Sequence, residues 1–307
     1  MDRRVMASFS ATDAGLVGFR VARENPMAIL AWTLLSMVSL VINGVIMATL
    51  AGTALAELRD ISGSGGQADP QAMLEILARL APAFLLILPI SLLFSGVLYA
   101  AANRLVLRPG EGGFGGLKFG NDEIRQVWAL VLAFLVIMGL YFVLGMAVVI
   151  LAALGAVINP VLGVLLATLG ILGALVAMIW VGLRLSLLSP IAFATGKVSL
   201  SSSWSMTMGH VLPLLGAFVL AVVMGAIVSG LVTAVFFGFS ALAFGLKETG
   251  AVIMNPDMSS LAAMTSPLML IYYLVNAVST ALTSMLFVCP AAVIYQQLRE
   301  TGAEVFD

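Results

Sequence analysis

The chain has 307 residues, of which 62% are hydrophobic and only 9% charged, and its net charge is −1. Soluble domains carry roughly 25% charged residues, so a water-soluble globule is excluded and lipid must be the solvent over most of the length. The near-neutral balance, without a basic tail, argues against a nucleic-acid partner. The single cysteine, Cys289, can form neither an internal disulfide nor a metal cluster.

A spanning helix needs about 20 mostly apolar residues. Six stretches qualify: 27–51, 83–105, 128–156, 161–187, 212–246 and 268–294. The fold class expected is all-α, a polytopic transmembrane bundle of about six spanning helices plus short amphipathic interfacial helices, forming a single integral membrane domain over 1–307. Ahead of the first span, Phe19–Asn25 reads as a short amphipathic stub. Ala54-Leu55-Ala56 has the small-x-small pattern of a cleavage site. The apolar stretch before it exceeds the roughly 7–15 residues of a signal peptide, so it is expected to remain as a span.

The connection that follows opens with Ser62-Gly63-Ser64-Gly65-Gly66, a flexible composition. Asp69 and Pro70 then form a helix start. Met73, Leu74, Ile76, Leu77 and Leu80 share one side of the helix, and Glu75 and Arg79 have i,i+4 spacing on the other. The expectation is an interfacial helix, with Pro82 turning the chain into the second span.

Gly110-Glu111-Gly112-Gly113-Phe114-Gly115 matches G-x-G-x-x-G, but a membrane span precedes it where a dinucleotide fold needs a strand. A flexible cytoplasmic loop is expected. Asn159-Pro160 separates the third and fourth spans and predicts a tight hairpin, because proline removes a donor and disfavours helix before it. Gly163, Ala167, Gly170, Ala174 and Ala177 form a small-residue seam along the fourth span, and Gly225 and Ser229 form a shorter pair in the fifth.

Ser203–His210 repeats the stub ahead of the fifth span, and Asn255-Pro256-Asp257 repeats, more weakly, the outer connection before Pro267 opens the sixth. We read a weak duplication relating the first two spans to the last two, with the middle pair as a central hairpin. Such repeats occur in transporters and in membrane proteins with no transport role.

Eleven of the 14 lysines and arginines fall on one side of this topology, the side of both termini, and three on the other. The positive-inside rule places both termini in the cytoplasm.

No acidic residue lies within a span, which argues against proton coupling. His210 is the only histidine, and no nucleophile–base pair or metal cluster is visible, so neither catalytic residues, nor a cofactor, nor a metal is expected. Arg184, near the end of the fourth span, is expected to snorkel to the headgroups. Asn43 in the first span, and Tyr272, Asn276, Ser279, Thr280, Thr283 and Ser284 on one face of the sixth, are the intramembrane polar groups. Asn43, Tyr272, Asn276, Thr280 and Thr283 are candidates to line a polar path. The alternative is hydrogen bonding between helices, and either use requires that face to turn inward.

Three segments together carry a resemblance. They are Arg108-Pro109 through Phe114 with Leu117, Gly120, Glu123 and Arg125; Arg184-Leu185-Ser186 through Pro190 and Phe193; and Ser203-Trp204 through Thr207, Gly209 and His210. On them the chain resembles uncharacterised six-span inner-membrane proteins of alphaproteobacteria. More distantly, it is similar to the membrane domain of some glycerophosphodiester phosphodiesterases. The resemblance implies a location and a topology, and carries no catalytic residue. The expected role is a non-enzymatic structural or interaction protein of the cell envelope, with a small-molecule or lipid transporter as the alternative. Membrane lipids are the expected partners, with a second copy or other membrane proteins beside them.

Overall fold

The computed structural model describes residues 10–64, 69–111 and 113–304; Arg3, Arg4, Gly65, Gly66 and Gly112 lie outside the described residues. What is described is an all-helical bundle with six helices long and apolar enough to cross a membrane. The first half comprises α1 (Ala11–Glu24), α2 (Pro26–Leu50), α3 (Gly52–Ser64) and α4 (Pro70–Leu107). Helices α5 (Asn121–Ile158) and α6 (Pro160–Leu185) form the central pair, followed by the short α7 (Leu188–Thr195). The second half comprises α8 (Leu200–Met206), α9 (Val211–Phe244), α10 (Leu246–Met254), α11 (Leu261–Met264) and α12 (Pro267–Glu304). The spans are α2, α4, α5, α6, α9 and α12, so α1 and the end of α12 share one end of the bundle, here the terminal end.

Local chemistry sets most of the helix boundaries. Asp69 accepts from the Gln71 amide at 3.4 Å, and Pro70 opens α4. Asn159 ends α5 and caps α6 at once, accepting from the Val161 amide at 2.8 Å with Pro160 in the first turn. The tight hairpin follows. A Cβ on Gly155 would come within 2.9 Å of the Gly163 Cα, so the two backbones touch only because both residues are glycine. Farther along the seam, a Cβ on Gly170 would meet the Val148 side chain of α5 at 3.0 Å.

The order of elements in the two halves agrees with the inferred duplication: a helix at the terminal end, a span, a helical outer connection, and a second span. The outer connections meet each other. Arg59 of α3 pairs with Asp257 at 2.7 Å and donates to the Asn255 carbonyl at 3.2 Å. Asp257 also accepts from the Ser259 hydroxyl at 2.6 Å and the Ser259 amide at 3.0 Å. These Ser259 hydrogen bonds, with Arg59 beside them, hold the Asp257 carboxyl below the usual carboxylate range.

Two expectations for the first outer connection are overturned. Helix α4 does not break at Pro82 but runs through both Pro82 and Pro89. The ring costs one helical hydrogen bond, yet Ile76, Leu80 and Ala83 pack on Ala51 and Ala54 and hold the helix on both sides of Pro82. The outer segment is therefore a continuous helical extension of the span. Arg79 pairs with Glu57 of α3, not with Glu75, because α3 lies alongside α4.

Helix α1 extends the amphipathic stub expected at Phe19–Asn25 back to Ala11, with Ala14, Val17, Gly18 and Val21 on its buried side. It lies against α9 and α12, where a Cβ on Gly18 would come within 2.6 Å of the Leu286 Cα. Trp32, Ala101, Ala281 and Met285 close the core above it. In contrast, beyond its root the central hairpin packs mainly on itself. No residue of α5 between Ala129 and Gly155 is buried, and none of α6 between Gly163 and Leu183. The hairpin is rooted at the terminal end, where Ala129 meets Leu188 and Ala192 of α7 and Val127 meets Gly96 of α4.

Candidate functional site

The structure does not gather the sequence-derived polar groups into one place. Asn43 Nδ2 donates to Ser91 of α4 at 3.3 Å. Asn276 Nδ2 turns back onto the Tyr272 carbonyl of its own helix at 2.9 Å, and Thr283 bonds back to the Ser279 carbonyl at 2.8 Å. Ser279 bridges to Ser229 of α9 at 3.1 Å, and the Tyr272 ring lies 6.3 Å from that of Phe236. Tyr272, Asn276 and Thr283 are half-buried and Thr280 is exposed. The stripe thus runs along the flank of the α9–α12 contact and is not fully turned inward. Back-bonding to the preceding turn lets hydroxyl and amide groups tolerate that position without an interhelical partner.

The densest polar chemistry lies instead at the terminal end. Arg104, 1% exposed, pairs with Glu123 at 2.7 Å and has Asp122 at 3.7 Å. Asp122 also takes Arg108 at 3.2 Å and Arg125 at 3.0 Å. Phe193 of α7 lies beneath both Arg104 and Arg108, with the guanidinium of Arg108 4.5 Å from its ring centre. Beside this knot, the Ser189 hydroxyl donates to Gln126 at 2.7 Å and accepts from Asn103 at 2.8 Å. Gln126 returns a bond to the Ser189 carbonyl at 3.0 Å. Buried charge persists only where it is paired and hydrogen-bonded. The knot pairs its charges, although Arg104 Nε, Glu123 Oε2 and Asn103 Oδ1 are enclosed without a partner, and it ties α4, α5 and α7 together.

The glycine-rich connection belongs to this knot, in contrast to the flexible loop expected. Trp32 Nε1 donates to the Gly115 carbonyl at 2.8 Å, and Arg104 donates to that of Gly116. Gly115 has φ +65° and Gly116 φ +75°. A Cβ on Gly115 would fall 2.8 Å from the Ala28 Cα, so conformation and close approach both demand glycine.

Above the knot, where the hairpin diverges from the core, lies a cavity of about 240 Å³. Ile137, Gly182, Phe218 and Phe287 contribute apolar wall, and Tyr99, Ser186 and Ser189 contribute hydroxyls. Ser186 is already bonded to the Leu183 carbonyl at 2.8 Å, and Ser189 is committed to the knot. Such a cavity suits an apolar group better than a hydrated ion.

Arg184 does not snorkel. It is 8% exposed, with its guanidinium 5.3 Å from the Trp180 ring centre and 5.5 Å from that of Trp204. Helix α8 folds over it, and the Ser203 hydroxyl donates to the Arg184 carbonyl at 2.7 Å. His210 Nδ1 lies 3.1 Å from the Met208 carbonyl, at the start of α9. Among the described residues, no group of three or more His, Cys, Asp or Glu is placed to hold a metal ion.

Sequence reasoning missed the Arg104–Glu123 pair. Its signal was the adjacent Asp122 and Glu123 opening a long apolar helix, within reach of three arginines that had been counted only for orientation.

Fold and composition together define a multi-pass α-helical membrane protein. No protein-family model, no curated protein and no solved structure matches the chain.

Proposed function

We propose that this is a non-enzymatic interaction protein of a bacterial inner membrane, with both termini in the cytoplasm, and that the α5–α6 hairpin is its docking element for a further transmembrane helix. The observation that carries this reading is the length of hairpin that the rest of the bundle leaves largely uncovered: between Ala129 and Gly155 of α5, and between Gly163 and Leu183 of α6, no residue is fully buried. Glycine supports it. Gly139 and Gly145 on α5 and Gly173 on α6 have open space where a Cβ would stand, unlike Gly155, Gly163 and Gly170. Each interior glycine costs a helix roughly 1 kcal/mol against alanine, a cost that close packing of another helix offsets. The eleven cations on the terminal side support the cytoplasmic assignment.

The test places a photo-crosslinking residue at Tyr141 or Leu172 in native membranes. Discrete adducts with a membrane polypeptide, or with a second copy of the chain, are expected at both positions. Adducts with lipid alone would remove the docking role. Reporter fusions at both termini should give cytoplasmic signals, and a periplasmic signal from either would reverse the orientation.

The root cavity favours a second reading, a carrier of small apolar molecules. In a variant with Cys289 replaced, single cysteines at Asn276 and Thr283 report on hydration. Labelling of both by a water-soluble thiol reagent would raise transport above docking.

A further inference from the structure

We propose that Arg184 and its two flanking tryptophans form a binding site for the phosphodiester of an anionic phospholipid in the leaflet at the terminal end. This inference rests on the chain being a membrane protein and is independent of the docking role of the hairpin.

The argument begins with an imbalance of charge. Arg184 is 8% exposed, yet among the described residues no salt bridge reaches it. The same chain buries Arg104 and gives it Glu123 at 2.7 Å. For Arg184 no such partner is at hand in sequence: there is no Asp or Glu between Glu123 and Glu248, while Arg125, Arg184, Lys197 and Lys247 all fall in that interval. Arg125 is satisfied by Asp122. Among the described residues, the protein therefore places a desolvated cation where no carboxylate stands within ion-pair distance.

Neutral contacts compensate it only in part. Nη1 reaches the Trp204 carbonyl at 3.5 Å and the Thr207 hydroxyl at 3.4 Å, both at the long limit of a hydrogen bond. Nε is enclosed without an acceptor, and Nη2 has none either, though it is not enclosed. The Trp180 and Trp204 rings add cation–π attraction, which does not neutralise the charge. The accessible Nη2 is the point at which an external anion can complete the shell.

The surroundings select the anion. Trp180 is 42% exposed, beside the apolar outer face of α6 with Ile179 at 47% and Val176 at 67%. Tryptophan at the end of a span marks headgroup depth. An arginine between two such rings, with acyl-chain surface below it, matches a phospholipid: phosphate at the guanidinium and chains along α6. A free phosphate ion offers the same oxygens without the chains.

The experiment uses the full chain in vesicles of phosphatidylcholine that contain a minor fraction of phosphatidylglycerol, with bromine on the chains of one lipid or the other. Brominated chains quench nearby tryptophan. Brominated phosphatidylglycerol should quench the wild-type protein with an apparent preference on the order of tenfold over brominated phosphatidylcholine, because both lipids carry the phosphodiester but the choline cation of phosphatidylcholine cancels its charge beside the guanidinium. Arg184→Gln should abolish the preference and Arg184→Lys should retain part of it. Adding inorganic phosphate at constant ionic strength should leave the wild-type preference unchanged. Equal quenching of the wild-type protein by the two lipids would overturn the proposal, and this arm needs no variant to fold. A preference that survives in Arg184→Gln would overturn it as well. Loss of the preference on adding phosphate would assign the site to the free ion and overturn the lipid assignment.

Discussion

Removing the charge of Glu123 tests the terminal knot most directly. Glu123→Gln preserves the shape of the side chain and leaves Arg104, 1% exposed, without its partner at 2.7 Å. Breaking a buried ion pair from one side costs about 3–5 kcal/mol, mainly because the remaining charge stays desolvated. Asp122 offers partial relief at 3.7 Å, but it already serves Arg108 and Arg125. The expected loss is therefore near the lower bound, about 3 kcal/mol. At the 2–4 °C per kcal/mol typical of chains somewhat smaller than this one, the apparent Tm should fall by roughly 6–12 °C. Thermal unfolding in mild detergent, followed by near-UV circular dichroism, measures it. The double variant Arg104→Met with Glu123→Leu should recover part of the loss, since apolar groups of similar size often replace a buried pair without penalty. A Glu123→Gln protein that melts within about 1 °C of the parent would show that the pair is hydrated, and the account of the knot would fail.

Further expectations concern other parts of the molecule. Gly170→Leu should separate α5 from α6, because the Val148 side chain already stands 3.0 Å from where a Cβ would lie; unchanged melting in detergent would place the seam against lipid. Gly115→Ala should cost about 1–2 kcal/mol from its left-handed backbone alone, with more from the approach to Ala28, and should shift Trp32 fluorescence as the bond to the Gly115 carbonyl loosens; an unshifted spectrum and unchanged melting would refute it. The Arg59–Asp257 contact should depend on pH in one direction. Because the folded Asp257 carboxyl lies below its ordinary value of about 3.9, its contribution is complete above that value and is lost as pH falls through the lower folded value. A spin-label pair across α3 and the 255–259 segment should keep a narrow distance distribution down to about pH 4 and broaden below it; broadening already between pH 7 and 5 would contradict the assignment.

The spans and their order were legible because a lipid solvent imposes long apolar runs and leaves few alternatives. The hairpin at Asn159-Pro160 and the seam through Gly170 were legible for a related reason: caps and close approaches are written in neighbouring residues. What escaped the sequence depended on distant partners. Pro82 reads as a breaker until Ala51, between α2 and α3, and Ala54 of α3 are seen to pack on Ile76 and Ala83. Glu75 and Arg79 have ideal spacing, yet Glu57 takes the arginine. The glycines at 115 and 116 look like slack until Trp32 and Arg104 are seen to hold their carbonyls. Arg184 looked like a surface cation because nothing in its own helix predicts that α8 folds over it. The polar stripe of α12 was periodic enough to assign to one face. Periodicity alone did not show that Asn276 and Thr283 would turn back onto their own backbone.

The one-ended anchoring of the central hairpin has a mechanical consequence. The 26 residues of α6 extend about 39 Å, more than the roughly 30 Å of a hydrocarbon core. In a helix packed on all sides, such an excess must be absorbed by the whole bundle. Here the pair is held by α4 and α7 at its root and mainly by itself beyond, so a lean of its far end bears on that root first. A small rotation at Ala129 is magnified along the pair and arrives at Asn159 as a lateral sweep. Bilayer thickness therefore acts on the hairpin as a bending load, while the rest of the molecule carries little of it.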